Sequence, residues 1–322
     1  MRMRYKVNFR FCIQRNNIRI PNWNRVPEPL REKAMKGWYR PSNPYSIDEI
    51  IKTFKTEPFI TKETKICNMG SCFAQELRAW LKKHGYNCLP QEWGVIYSPQ
   101  SIAQIIKYSL ESETWKPTET FWEYTGKFHD PYIKAKNHSG PVVHGESLEE
   151  ARKAQKRHYD RSSSLLKEAD AVVWTLGVTE LWRNKEDHSA FFEIPSPDFF
   201  DPDLHEFYNL TYEDVLECLE YSIETLIKYN PTVKILLSVS PIPLHVTFRD
   251  HLGPLVATQY SKSILHAAAL TVFEKYDAVL YMPSYEITRI DPVSNYMPDG
   301  RHVNERCINS IMKVFKGLYV LE

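Results

Sequence analysis

The chain has 322 residues, 43% hydrophobic and 25% charged, with a formal net charge of +1 at pH 7. This is the balance of an ordinary globular protein with room for one large domain or two modest ones, and it leaves no global field to draw the chain onto nucleic acid or an anionic membrane. Six cysteines (Cys12, Cys67, Cys72, Cys88, Cys218, Cys307) lack paired spacing and form no Cys/His cluster, so no zinc site and no cofactor is implied, and the thiols read as reduced.

Residues 1–60 are rich in Pro, Arg and aromatics and carry little periodicity. They read as an irregular N-terminal arm, with a short helix at "IDEIIKTF". The basic start "MRMRYKVNFRFCIQRNNIRI" lacks the apolar centre of a signal peptide. No run approaches the roughly 18–20 apolar residues of a membrane span, so a cytoplasmic location is expected. From Lys65 the pattern changes. Ile66–Met69 predict a buried strand, and 73–84 a helix with Leu77, Trp80 and Leu81 on one face, closed by Gly85. A further helix is expected at "SPQSIAQIIKYSLE". Residues 111–147 hold Trp, Tyr, His and Gly without a period and read as a long functional loop or insertion. The helix "SLEEARKAQKRHYDRSSSLLKEA" leads into the strand "DAVVWTLG". The helix "TYEDVLECLEYSIETLIKYN", capped by Thr211, leads through Pro231 to the strand "VKILLSVSP". "VATQYSKSILHAAALTVFEKY" is a helix before the strand "DAVLYMP", and "ERCINSIMKVFKGL" is the last helix.

Short apolar strands alternating with helices argue an α/β fold, with a mostly parallel sheet covered by helices on both faces. In such sheets ligands sit beyond the carboxyl ends of the strands. The suggestive segments all fall there: "GSC" after the first strand, "LGVTE" after the second, "SVSPIP" after the third and "YMPSYE" after the last. Near the C-terminus, "NYMPDGRHVNE" places Asp299 and His302 three residues apart in a turn. A nucleophilic serine needs a base, and the base needs a carboxylate to orient it. D-x-x-H alone is a weak signal; with a Gly-Ser at a strand–turn–helix junction it becomes a stronger one.

"GSCFA" at Gly70–Ala74 resembles the signature of the GSCFA domain family, placed among the SGNH/GDSL-like hydrolases. "EWGVIYSP", "VVWTLGVTELW", "LLSVSPIPLHVTF", "YMPSYEI" and "PDGRH" resemble its later blocks in order, from about Lys65 to the C-terminus. The resemblance implies a three-layer α/β/α sandwich over residues 61–322 and a serine-dependent esterase or O-acyltransferase. Carried over block by block, Ser71 matches the nucleophile, His302 the base and Asp299 its orienting partner. The N–H groups of Ser71 and Gly94 match oxyanion donors. The third block departs from the SGNH pattern, with Thr179 where an asparagine donor is usual. Thr179 offers a shorter, stiffer donor, so the oxyanion hole is either incomplete or completed by another group such as Gln259, Arg249 or Arg301.

Cys72 is a rival nucleophile, though as the first helical residue its expected place is toward the core. Glu180 and Trp182 are candidates for substrate contact, with His245, Arg249 and Arg301 at the cleft mouth, where Arg249 suits a carboxylate or phosphate. His129, Asp130 and His144 in the insertion either touch substrate hydroxyls or are solvated. Ser240 reads as a turn cap before Pro241. The aromatic content of 13% and the near-neutral charge point to a carbohydrate or glycoconjugate acyl ester as partner, with nucleic acid and a membrane span excluded. The alternative is a non-catalytic carbohydrate-binding module on the same fold.

Overall fold

The apolar runs that predict the sheet are buried on both faces because their side chains alternate between two helical layers. In the computed structural model the described residues are 27–29, 47–54, 56–112, 117–133, 143–192 and 194–321. The chain divides into two units, Met1–Ser46 and Ile47–Glu322, and the second carries the sheet. Of the expected arm, residues 1–26 and 30–46 lie outside the described residues, as do parts of the 111–147 insertion.

Four strands form the central sheet: β1 (Ile66–Gly70), β5 (Ala171–Leu176), β8 (Lys234–Val239) and β9 (Val279–Tyr281), in the order β1-β5-β8-β9. All three pairings are parallel, with Gly70 opposite Thr175 and Thr175 opposite Ser238. Met69, Trp174, Leu237 and Tyr281 face one apolar cluster, built with helices α3 (Pro99–Leu110), α4 (Leu148–Glu168), α5 (Tyr212–Tyr229) and α6 (Pro254–Lys275). Ile66, Val173 and Leu236 face the other, built with α2 (Cys72–Lys83) and α9 (Glu305–Tyr319). The expected three-layer α/β/α sandwich follows from that period-2 alternation inside apolar runs.

Local chemistry sets the helix ends. Ser98 caps α3 and Pro99 supplies its first turn; Thr211 and Asp214 form a capping box on α5, satisfying N–H groups that the helix leaves unpaired. Gly85, at φ +76°, ends α2 with its N–H on Lys82 O while Tyr86 N–H reaches Leu81 O, both at 3.0 Å, the left-handed closure that glycine favours. The helix α1 (Ile47–Thr53) packs on α9, where Lys313 Nζ lies 2.8 Å from Asp48 Oδ1. Phe59 and Ile60 donate to Tyr319 O, so the chain from Ile47 onward is part of the sandwich. The short helices α7 (Ser284–Ile290) and α8 (Pro292–Asn295) follow β9.

Two elements appear that the sequence reading lacks. The described parts of the insertion contain a small antiparallel sheet of β2 (Trp122–Tyr124), β3 (Lys127–His129) and β4 (His144–Gly145). A hairpin of β6 (Glu180–Asn184) and β7 (His205–Asn209) follows β5. Its strands are separated by about twenty residues with no tight-turn pair, so the usual hairpin signal is missing.

Candidate active site

The Ser71 corner is a product of close backbone approach. β1 ends at Gly70, whose φ is +128°, and a Cβ there would lie 2.3 Å from Thr175 O on the neighbouring strand. Only glycine fits both conditions. The chain then turns onto α2 with Ser71 as N-cap, its Oγ accepting from Phe73 N at 3.2 Å. Ser71 is 2% exposed. Its N–H donates to Thr175 O at 3.0 Å and approaches Thr175 Oγ1 at 3.0 Å, and its Oγ is also 3.0 Å from Thr175 Oγ1. Cys72 is half-buried with its Sγ 4.0 Å from Tyr97 Oη, and it packs against the second apolar cluster.

The segment between α8 and α9 is held at the end of β8 by Tyr296 Oη, which donates to Pro241 O at 2.9 Å. Gly300, at φ +66°, lets the turn close. Asp299 then organises it: Oδ1 accepts from the N–H groups of Arg301 (2.9 Å) and His302 (3.0 Å), and Oδ2 lies 2.6 Å from His302 Nδ1. The His302 hydrogen bond first, and the two N–H groups next, pull the Asp299 carboxyl down to about 2. An ionised Asp299 can only accept, so Nδ1 carries the proton and the lone pair is on Nε2. Both side chains are exposed. Among the described residues no hydrogen bond joins Ser71 to His302: Ser71 is engaged with Thr175 and Phe73, His302 with Asp299.

The segment 93–98 runs alongside the Ser71 corner. Ile96 N–H donates to Gly70 O at 2.7 Å, while Gly177 and Val178 donate to Tyr97 O at 3.0 and 2.9 Å. This segment forms one wall of a cavity of about 380 Å³. Gly94, Glu180, Trp182, His245 and Arg301, all singled out in the sequence, line it. Glu180 accepts from Thr247 Oγ1 at 2.8 Å, and burial pushes its carboxyl above the usual range. Trp182 packs edge-to-face on Phe200 and Phe248.

Other candidates stand elsewhere. Thr179 is buried with its Oγ1 donating to Asn209 Oδ1 (2.8 Å) and 2.8 Å from Ser261 Oγ, and it is not among the cavity-lining residues. Gln259 is engaged with Ser263 and Tyr285. Arg249 stacks over the Tyr260 ring at 4.5 Å. Asp130 is buried within the insertion, held by Gln155 and Tyr132 N–H, and burial raises it to about 6. The His129 and His144 rings stack on each other at 6.4 Å. Ser240 Oγ accepts from Ile242 N–H at 3.3 Å, a turn cap.

Two residues went unnoticed in the sequence. Thr175 is the main partner of Ser71, and nothing in "VVWTLG" marks it, since its role comes from the β1–β5 register. Lys262 is fully buried in α6, where its Nζ donates to Gly177 O at 2.6 Å. Desolvation alone lowers its ammonium to about 7. Its signal was present: Lys262 shares a helical face with Leu265 and Ala269, both buried. The lysine fixes the turn after β5 that presents Val178 and Glu180 to the cavity.

Comparison with solved structures gives low likeness. A family 3 carbohydrate esterase of Clostridium thermocellum aligns at 12% identity over 80% of this chain and 95% of its own, with a TM-score of 0.33. A Streptococcus pneumonia protein assigned as a platelet activating factor aligns at 11% identity over 79% of this chain and 83% of its own, with a TM-score of 0.36. No curated protein matches the sequence. The family assignment is direct: the GSCFA family matches over residues 65–315, from the start of the central sheet into the last helix, and the chain belongs to that family.

Proposed function

We propose that the protein is a serine-dependent esterase or O-acyltransferase working through an acyl-enzyme at Ser71, with a carbohydrate or glycoconjugate as the alcohol half of its ester. The observation that carries this reading is the Asp299–His302 pair. It leaves a basic Nε2 on a turn fastened to the strand-end edge of the sheet where Ser71 begins α2. The carbohydrate assignment rests on the aromatic composition and on family analogy.

In the reaction, the Ser71 hydroxyl leaves Thr175 and meets His302 Nε2. Oγ attacks the acyl carbon while its proton passes to Nε2, and the Asp299 carboxylate steadies the imidazolium. The negative charge on the former carbonyl oxygen is met by N–H groups. Gly94 N–H donates to no described residue and lines the cavity, which suits it to that task, and the N-terminus of α2 adds a favourable field. His302 returns the proton to the departing alcohol oxygen as the C–O bond breaks. Attack by water on the acyl-enzyme then gives an esterase; attack by a sugar hydroxyl gives a transferase.

A second reading, a binding module on the same fold, is favoured by one specific feature. The hydroxyl of Thr179 and the N–H of Ser71 are both already engaged, leaving the oxyanion site short of donors. Release of p-nitrophenol from short-chain esters by the wild type and Ser71→Ala separates the two. The acyl-enzyme reading expects turnover that falls by a factor of about 10³ or more in the variant. Circular dichroism accompanies the assay, because loss of the cap costs about 1 kcal/mol. Turnover equal in both proteins would end the Ser71 mechanism, and none in either would favour the binding module.

A further inference from the structure

The cavity walled by residues 93–98, which Ser71 and His302 do not themselves line, has a chemistry of its own. Trp93, Ile96, Ile105, Ile133, Phe191 and Phe192 make up much of its wall. The indole Nε1 atoms of Trp93 and Trp182 are buried there without a hydrogen-bond partner among the described residues, while other polar groups are already engaged. Ser98 and Ser101 hydroxyls lie 2.9 Å from each other, and the Glu180 carboxyl is bound by Thr247. A sugar entering here would bury hydroxyls against apolar walls, at a cost of about tenfold or more in affinity for each one left unpaired. An alkyl chain pays no such cost and gains about fourfold for each methylene taken out of water.

The apolar surface continues to the outside. Ile194, Val246 and Phe248 line the cavity and are all exposed, so the mouth itself is greasy. A charged group there is also unspent: Arg301 lines the cavity, and its Nε is buried with no hydrogen-bond partner among the described residues. Tyr97 and Gly94 connect the cavity to the serine corner, Tyr97 through its Oη against Cys72 Sγ and Gly94 two residues from the Ile96–Gly70 hydrogen bond.

We propose that this cavity receives an unbranched fatty acyl chain, the acyl half of the ester, with its carbonyl end between Gly94 and Arg301 and its tail among Ile105, Ile133 and Phe191. The alcohol half stays outside the cavity. The assignment rests on the acyl-enzyme reading for its place in the reaction, while binding of the chain stands apart from catalysis.

The test has two arms on the full-length protein. In the first, kcat/KM is compared for p-nitrophenyl octanoate and p-nitrophenyl acetate. We expect the octanoyl ester to be favoured by about tenfold or more. Ile105→Trp, which fills the cavity, and Ile194→Asp, which charges its mouth without touching the core, should each reduce that ratio by about tenfold and about threefold. In the second arm, cis-parinaric acid fluorescence is titrated with octanoate in wild type and Ser71→Ala, with displacement expected in both. Ser71-dependent hydrolysis that favours acetyl, with no displacement, would overturn the acyl cavity and leave the proposed function standing. Displacement without hydrolysis of any ester would uphold the cavity and overturn the acyl-enzyme. Neither hydrolysis nor displacement would overturn both.

Discussion

The two halves of the proposed site are built in opposite ways. The Ser71 corner is buried, and its geometry comes from strand register: Gly70 against Thr175, Ser71 N–H on Thr175 O, Ile96 on Gly70. The Asp299–His302 turn is exposed, and it organises itself through hydrogen bonds within six residues, with Tyr296 tying it to Pro241. One half is specified by packing and tolerates no extra atom. The other is specified by local polar chemistry and can be altered without disturbing the core. A buried nucleophile and a surface-held base can therefore be perturbed independently.

The largest expected effect is on the exposed half. Asp299→Asn should lower ester turnover by about 10²–10⁴-fold, because the amide no longer fixes the Nδ1–H tautomer, while the urea midpoint stays where it is. A midpoint shift as large as that of a core variant would erase the contrast between the halves. On the buried side, Gly70→Ala should destabilise the fold by roughly 3 kcal/mol or more, since its Cβ would press on Thr175 O in a left-handed backbone. Urea unfolding at neutral pH checks this, and an unchanged midpoint would mean that the β1–β5 register is looser than the contact implies.

Lys262 sharpens the comparison through pH. Its ammonium is lowered to about 7 from a usual 10.5. Between those values the unfolded chain holds a proton that the folded chain does not, so stability rises with pH across that window. Relative to Lys262→Met, the wild type should gain a few kcal/mol, at most about 5, between pH 7 and 10. Parallel stability curves for the two proteins would refute it. A smaller effect is expected for Tyr296→Phe, which removes the bond to Pro241 O at about 1 kcal/mol and should lower kcat more than it lowers the melting temperature. Cys72→Ser should change turnover least of all, and inactivation by iodoacetamide that this variant abolished would move the chemistry to the thiol.

Where the sequence was legible, the signal was local. The caps of α3 and α5, the glycine closure of α2 and the D-x-x-H turn are all decided by neighbours within a few residues, so the residues themselves announce them. The β6–β7 hairpin was not legible, because a long connection replaces the turn that would announce it. Nor was the direction of the Thr179 hydroxyl, which depends on Asn209 and Ser261, thirty and eighty-two residues away.

The sequence alone determined the order of the four central strands and the long helices between them, the apolar alternation that requires a two-faced sheet, and the short motifs at the strand ends. Those follow from backbone propensity, period and capping, which act over a few residues. Only the tertiary structure decided that Thr175 holds Ser71, that Lys262 is buried under the turn at Gly177, and that Gly94, Glu180, Trp182, His245 and Arg301 surround one apolar cavity. Parallel pairing and helix packing bring together residues scores to hundreds of positions apart, and no periodicity along the chain records which side chains will meet there.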